Sequence, residues 1–200
     1  MQYVFYFDQN SCSECGTCVV ACKDWNGVNP GPVSWRKVYR HEKRETGSYP
    51  NLVIRPLVYS CNHCEEPACV QSCSAGAISK RSEDGIVIVN RNKCQSLKSC
   101  VDACPYNAVQ IADSNQELPD NDKLTPHPAQ KCTFCLDRWS KGDKPICVMS
   151  CPQRALDAGP LDEILRLYKD VVPATEAEGF PDDLYGSKHT RPNLYMTRRK

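Results

Sequence analysis

The sequence lacks the marks of several broad classes of protein. No stretch is long and apolar enough to cross a bilayer, and the formal net charge of +1 gives no electrostatic basis for binding nucleic acid. The opening residues MQYVFYFDQNSC contain no basic segment and no cleavage site, so we expect no signal peptide. Neither a Gly-rich phosphate loop nor a separate Ser-His-Asp or Cys-His set marks a catalytic site.

Cysteine is the residue that the sequence has in excess, with 15 in 200 residues. They form four groups, each ending in C-x3-C, which are numbered here in chain order. The first group is Cys12, Cys15, Cys18 and Cys22; the second is Cys61, Cys64, Cys69 and Cys73; the third is Cys94, Cys100 and Cys104; the fourth is Cys132, Cys135, Cys147 and Cys151. In the bacterial ferredoxin pattern C-x2-C-x2-C-x3-C-P, the last cysteine binds the other cluster of a pair. Four groups therefore predict iron–sulfur clusters in two ferredoxin-like modules.

Two other uses of cysteine fit these spacings less well. A disulfide framework is typical of small secreted domains, but the odd number of cysteines and their repeated short spacings argue against it. Structural zinc is compatible with the fourth group on spacing alone. The first group has three cysteines at successive i+3 steps, which is typical of a loop around a cuboidal cluster.

Between the cysteine groups lie a few regular elements. YVFYF (3–7) and GIVIV (85–89) are typical of short buried strands, and LDEILRLY (161–168) has the i, i+3, i+4, i+7 pattern of an amphipathic helix. Residues 113–130 are a polar loop, and the Pro-, Gly- and charge-rich segment 171–200 is too irregular to contribute to a core. These elements predict an α+β fold, rich in loops, with an extended C-terminal tail.

The order and sequence of the groups resemble one known family. CSECGTCVVACKDWN, CNHCEEPACVQSC, CPYNAVQ, KCTFCLDR and KPICVMSCPQRALDAGP are similar to motifs of the four-cluster iron–sulfur subunits of the dimethyl sulfoxide reductase family of molybdenum or tungsten oxidoreductases. The resemblance covers roughly residues 3–168. In addition, TRPNLY (190–195) is similar to the C-terminal segments of polysulfide reductase, arsenate reductase and transhydroxylase relatives.

The resemblance implies that group one pairs with group four, and group two with group three. One 4Fe–4S cluster would take Cys12, Cys15, Cys18 and Cys151; another Cys22, Cys132, Cys135 and Cys147; a third Cys61, Cys64, Cys69 and Cys104; and a 3Fe–4S cluster would take Cys73, Cys94 and Cys100. The implied modules are residues 1–55 with 106–170, and residues 56–105. A tail at 171–200 would then dock on a partner.

The third group departs from the ferredoxin pattern at one position. In KCQSLKSCVDACP (93–105), Leu97 stands where the second cysteine is expected, and an aliphatic side chain cannot bind iron. Some members of the family, such as respiratory nitrate reductases, have a bulky apolar residue there and hold 3Fe–4S, whereas transhydroxylases lack one cluster. A 3Fe–4S cluster is therefore predicted, with Leu97 capping the vacant corner. A 4Fe–4S cluster with another ligand, or an empty site, stays open.

The implied function is electron transfer without bond chemistry in this chain. Electrons would pass between a molybdopterin catalytic subunit, with Mo or W, and a second redox partner that is a quinone-linked membrane subunit or a soluble carrier. The alternative is a free-standing polyferredoxin shuttle, which would need no docking tail. We expect no nucleic-acid partner and no direct membrane span. The expected location is the cytoplasm, or export in folded form with a signal-bearing catalytic partner, soluble or peripheral to the membrane.

Other polar residues lie close to the groups. His63 stands between two cysteines of group two, but the ligand set is complete without it, so we expect it to form a hydrogen bond beside a cluster. The nearby cations are Lys23, Lys80, Arg81, Lys93, Lys98, Lys131 and Arg138. For most of them a solvated surface position is expected.

Overall fold

The structure, a computed structural model, describes residues 1–44, 52–111, 127–176 and 188–197. The strands found there are β1 (Tyr3–Phe7), β2 (Arg36–Arg44), β3 (Leu52–Ser60), β4 (Ile78–Lys80), β5 (Val87–Val89), β6 (Gln110–Ile111), β7 (Ala129–Gln130), β8 (Leu156–Pro160), β9 (Val171–Pro173) and β10 (Leu194–Thr197). The α-helices are α1 (Thr17–Trp25), α2 (Ala68–Gln71), α3 (Ser99–Asp102), α4 (Leu136–Trp139), α5 (Ile146–Met149) and α6 (Leu161–Leu167). This mixture of short helices and strands agrees with the predicted α+β class.

The largest sheet has the strand order β8-β1-β10-β9. β1 pairs antiparallel with β8 and parallel with β10, while β10 pairs antiparallel with β9. Phe5 and Phe7 of β1 belong to the main hydrophobic core, whereas Val4 and Tyr6 face Ile164 of α6. Both faces of β1 are therefore covered, which explains its continuous apolar sequence. The prediction of a buried strand at 3–7 is confirmed.

The C-terminal residues that the structure describes belong to this sheet. β10 lies between β1 and β9, and its Leu194 and Met196 are only 2% and 1% exposed. The prediction that the segment from residue 171 onward is too irregular for a core is therefore wrong for 171–176 and 188–197. That prediction used only the local sequence, whereas a four-residue strand is fixed by its partners in the sheet. Docking of the tail on a partner stays a prediction.

β2 and β3 form a long antiparallel pair, with a register from Arg36 opposite Ser60 to Arg44 opposite Leu52. The expected module boundary, between residues 55 and 56, falls inside β3 rather than in a linker. The main core also contains Leu57 from one expected module and Phe5 from the other. The two groups of elements thus share one core, and the division into two modules stays a prediction.

The remaining expected elements are found with small differences. β5 covers the end of GIVIV and pairs with β4. α6 ends at Leu167, one residue before the predicted end. Its Ile164 is fully buried, but Leu165 is 49% exposed, so the buried face of the helix is narrower than the apolar face that the sequence predicts. Most of the predicted polar loop, residues 113–126, lies outside the described residues, while 129–130 form β7. No helix in the described ranges has the length and apolar character needed to span a membrane.

Candidate iron-sulfur sites

The four cysteine groups share one local structure around their next-to-last cysteine. In every group this cysteine is the second residue of a helix: Cys18 in α1, Cys69 in α2, Cys100 in α3 and Cys147 in α5. The last cysteine follows about one helical turn later, and a turn rises about 5.4 Å. The last two cysteines of one group are therefore displaced along the helix, as two ligands of different clusters would be.

Each ligand loop also bends at the same place. The residue two positions after the first cysteine has a positive φ in all four groups: 57° at Glu14, 44° at His63, 54° at Ser96 and 60° at Phe134. None of these is glycine, although other residues rarely adopt this conformation. Backbone turned in this way directs successive N–H groups into a concave site that suits an anion, a feature of many iron–sulfur sites.

The loop around Leu97 has the same shape as the loop around Cys15. The residues before and after Cys15 have φ values of 57° and 75°, and those before and after Leu97 have 54° and 63°. A helix begins directly after each loop. Leu97 therefore occupies the structural position of a ligand, and the third group keeps the backbone of a cluster site.

One cavity brings cysteines of groups one and four together. Cys12, Cys15, Cys18 and Cys151 line it, and Phe7 at the end of β1 forms part of its wall. These are the four cysteines that the family resemblance assigns to one cluster. The cavity therefore combines cysteines from the first and the last cysteine group in the sequence.

A second cavity is lined by Cys73, Cys94, Cys100 and Leu97. It contains the three thiols that the family resemblance assigns together. The Leu97 side chain is 58% exposed. Within this chain, Leu97 therefore leaves the cavity open to solvent, and the capping of a cluster corner by Leu97 stays a prediction.

The other eight cysteines lie near one another in two sets. Cys22 is close to Cys132, Cys135 and Cys147, and Cys64 is close to Cys61, Cys69 and Cys104. Burial is the largest cause that raises the pKa of the Cys22 and Cys64 thiols, and the charge of the neighbouring thiolates adds to it. Because a thiol must lose its proton to bind iron, a cluster at Cys22 and Cys64 replaces protons that these two thiols hold more tightly than an ordinary cysteine does.

The separation of the thiols differs from that of a site for one ion. Among the residues that the structure describes, no three His, Cys, Asp or Glu side chains lie close enough to hold a single metal ion. Zinc gathers its ligands around one atom, whereas each thiolate of a cuboidal cluster binds a different iron. Thiols that line one cavity without converging on a single point therefore fit a polynuclear cluster.

Amide groups donate hydrogen bonds to several of the sulfurs. The backbone N–H four residues after the last cysteine donates over 3.3 Å to Cys73 and over 3.5 Å to Cys104. In group one Asn26 stands at this position, and its side-chain amide donates to Cys22 over 3.6 Å. Hydrogen bonds to sulfur are among the factors that set the potential of a cluster.

A buried arginine lies among the cysteines. Arg36, the first residue of β2, is 1% exposed, and its Nη2 donates to Cys147 Sγ over 3.2 Å. Its guanidinium also lies 4.6 Å from the centroid of the Phe5 ring. None of the ion pairs between described residues includes Arg36. Because a buried charge needs compensation, an anionic cluster bound by the neighbouring thiolates fits this environment.

Lys131 and His63 are buried nearby. Lys131 is 2% exposed, and its Nζ donates to the carbonyl oxygens of Val87 and Cys132. It is thus an exception to the expected solvated cations. The backbone N–H of Val87 donates to His63 Nδ1 over 3.0 Å, so His63 forms a hydrogen bond as predicted. Burial, followed by the charges of Lys131 and Arg36, lowers the pKa of His63 and keeps its ring neutral.

Comparison with known proteins matches this arrangement to one family of redox proteins. Residues 54–161 match the family described as 4Fe-4S dicluster domain. One chain of the anaerobic dimethyl sulfoxide reductase of Escherichia coli (strain K12) is 40% identical over 200 residues, which cover 98% of this protein and 88% of the relative. The corresponding chain of the Haemophilus influenzae enzyme is 37% identical, covering 100% and 90%. The protein thus belongs to the iron–sulfur subunits of the dimethyl sulfoxide reductase family.

Another similar protein is a subunit of an enzyme named for a different compound, sulfite. One subunit of the sulfite dehydrogenase of Allochromatium vinosum is 33% identical over 225 residues, which cover 100% of this protein and 84% of the relative. Membership confirms the predicted function, since the relatives are iron–sulfur subunits of oxidoreductases: the protein is an electron-transfer subunit that carries 4Fe–4S clusters. The alternative of a free-standing polyferredoxin is not favoured.

Two residues of this iron–sulfur subunit that lie close to the thiols are not marked by the sequence. Arg36 stands outside all four cysteine groups, and its only local signal is a cation inside the strand sequence WRKVYR, beside a buried tryptophan. Thr190 lies in the C-terminal segment, 2.6 Å from the hydroxyl of Tyr106, and it hydrogen bonds Cys64. Both residues lie near the cysteines because segments that are distant in the sequence pack together, which the spacing of residues along the chain does not reveal.

Proposed function

We propose that this protein holds four clusters and conducts electrons between a molybdopterin catalytic subunit and a second redox partner. The clusters are named by their ligands: the first cluster (Cys12, Cys15, Cys18, Cys151), the second cluster (Cys22, Cys132, Cys135, Cys147), the third cluster (Cys61, Cys64, Cys69, Cys104) and the Leu97 cluster (Cys73, Cys94, Cys100). The first three are 4Fe–4S, and the Leu97 cluster is 3Fe–4S. Two observations support this pairing. The ligands of the first cluster and of the Leu97 cluster line two cavities, and the ligands of the other two clusters interact electrostatically with one another.

The observation that carries the three-iron assignment is the position of Leu97. Its loop has the backbone shape of the Cys15 loop, and its cavity holds three thiols. A retained loop and a retained cavity favour a bound cluster over an empty site. An aliphatic side chain at the fourth corner favours the loss of one iron.

The chain's own residues hold and tune the redox groups. When bound, the clusters supply one-electron redox chemistry. The cysteine thiolates fix their positions, the buried loops limit the access of water, and the N–H donors and buried cations stabilise negative charge. None of these roles requires a substrate pocket in this chain, which agrees with a catalytic site on another subunit.

The partner is inferred from the relatives, each of which is named as one component of a larger reductase or dehydrogenase. A molybdenum or tungsten cofactor would then reside in the catalytic subunit, with a membrane anchor subunit as a further candidate partner. The location stays as predicted from the sequence. Because described parts of the segment beyond residue 171 lie in the chain's own sheet, the segment no longer argues by itself for docking.

Substitution of Leu97 by cysteine tests the cluster assignment. The complex is purified anaerobically, and iron and sulfide are measured after subtraction of any cluster in the partner. We expect about 15 irons per chain in the wild type and about 16 in Leu97→Cys. In EPR, the oxidised wild type should show a 3Fe–4S signal, which Leu97→Cys should replace by a further reduced 4Fe–4S signal at lower potential.

Leu97→Ala is the matched control, because it changes the same side chain without adding a thiolate and should keep the 3Fe–4S signal. About 12 irons per chain in the wild type would mean that the site is empty. A wild type that is EPR-silent when oxidised, and that shows four reduced 4Fe–4S signals, would contradict the three-iron assignment. A preparation without iron, or one that never copurifies with a molybdopterin subunit, would contradict the proposed function.

A further inference from the structure

Arg36 lies where two of the proposed clusters meet. Its Nη2 contacts Cys147 of the second cluster. Cys18 of α1 and Cys147 of α5 belong to the same hydrophobic core, and the Arg36 guanidinium interacts electrostatically with both. Cys18 is a ligand of the first cluster, so this one guanidinium is close to thiolates of both.

Among the described residues, Arg36 forms no ion pair with a carboxylate. Its guanidinium lies over the Phe5 ring and is sealed from water by the core. An arginine does not lose its proton in a protein, so the charge is permanent. In a buried environment the field of such a charge is screened much less than at the surface.

Reduction of an iron–sulfur cluster adds a negative charge to it. A fixed positive charge nearby stabilises the reduced state more than the oxidised state, because net charge is one of the factors that set the potential. An exposed cation has a smaller effect, since water and ions screen it. The surface lysines near the cysteine groups should therefore contribute little, and Arg36 should contribute most where its guanidinium is nearest.

We propose that Arg36 is a positioning residue shared by the first and second clusters, and that its one charge raises the reduction potentials of both. This inference rests on the ligand assignment of the proposed function. Electron transfer between the two clusters then depends on a residue that binds neither iron nor substrate. The third cluster and the Leu97 cluster, whose ligands are not among the thiolates nearest Arg36, should be much less affected.

Two variants separate the charge of Arg36 from the hydrogen bond of its guanidinium. Arg36→Gln removes the charge together with the group that contacts Cys147, whereas Arg36→Lys keeps a positive charge and loses the planar guanidinium. Each is made in the full chain and purified anaerobically as the complex. The clusters are then titrated with reductant and followed by EPR.

In Arg36→Gln, the ratio of reduced to oxidised cluster at a fixed solution potential should fall at least tenfold for two of the three 4Fe–4S clusters, which corresponds to about 59 mV for a one-electron couple. Arg36→Lys should keep this ratio within about threefold of the wild type. The signal of the Leu97 cluster should titrate as in the wild type in both. Lys37→Gln is the matched control, because it removes a charge from the next residue of β2, whose Nζ contacts the backbone of Asn107 and no thiol.

Several results would overturn the inference. One is a ratio of reduced to oxidised cluster that changes by less than threefold in Arg36→Gln for every cluster. Another is a ratio that changes for a single cluster only. Another is an equal shift in Arg36→Lys and Arg36→Gln, because the hydrogen bond or the packing would then be responsible. If the variants do not assemble, the wild type is labelled with 15N-arginine and studied by pulsed EPR. The reduced second cluster should then show nuclear coupling to a guanidinium nitrogen, and the absence of this coupling would refute the contact between Arg36 and the cluster. Clusters that are absent from the wild type would instead refute the proposed function.

Discussion

Truncation of Leu194 in β10 should destabilise the whole iron–sulfur subunit. Leu194 lies opposite Phe5 of β1 in the parallel register, is 2% exposed and belongs to the main core. Replacing a buried leucine by alanine typically lowers the free energy of unfolding by about 2–5 kcal/mol. Since whole domains are stable by only about 5–15 kcal/mol, Leu194→Ala should remove a large part of the total.

The measurement is anaerobic denaturation by urea, followed through the visible absorbance of the clusters. With a slope of roughly 2–3 kcal/mol per M for a chain of this size, the midpoint should fall by about 1–2 M. Leu167→Ala provides the control, because it makes the same change at a side chain that is 51% exposed, and its midpoint should shift by less than about 0.3 M. Truncation after Asp170, which removes β9 and β10, should prevent the clusters from being retained.

This expectation differs from that of a docking tail. If the segment only bound a partner, truncation after Asp170 would release the partner and leave all clusters in place. A truncated chain with its full iron content, or equal midpoints for Leu194→Ala and Leu167→Ala, would show that β10 is not part of the sheet that supports the cluster sites.

Two further predictions concern the cysteine sulfurs. Thr190→Val removes a hydroxyl that hydrogen bonds Cys64, so the potential of the third cluster should fall by roughly 20–60 mV. This shift is the equivalent of one hydrogen bond of about 0.5–1.5 kcal/mol for a one-electron couple. Thr190→Ser should restore the potential, and equal potentials of the wild type and both variants in an EPR titration would reject the contact. Loss of iron to a chelator should become faster as the pH falls from 9 to 6, because burial and neighbouring thiolates raise the pKa of Cys22 and Cys64 and protons then compete with iron for the sulfur; a rate that is independent of pH would contradict this.

The sequence predicts the parts of this molecule that are encoded over short distances. The spacing of the cysteines indicates the ligands, and the apolar run at 3–7 predicts β1. The place of Leu97 follows from a single missing cysteine in an otherwise repeated pattern. Each of these signals lies within a window of about one loop or strand, where steric and hydrophobic preferences act directly.

The features that escape such reasoning depend on contacts between distant residues. The four residues of β10 are too few to predict a strand, and their place beside β1 is decided by the sheet that forms around them. Arg36 looks like a surface cation until the packing of β2 buries it against Cys147. The positive φ values at Glu14 and Phe134 are equally hidden, because neither residue favours that conformation by itself and the turn around the site imposes it.

The parallel pairing of β1 with β10 has a consequence for the order of events on the ribosome. At roughly 5–20 residues per second, the partner of Phe5 in this sheet, Leu194, is synthesised roughly 10–40 s after Phe5 itself. Throughout most of that interval the cysteines of group one lack Cys151, with which they line their cavity. The emerging polypeptide therefore carries oxidisable thiols that are not yet enclosed, and the edge of β1 that pairs with β10 stays unpaired until residue 197 has been made.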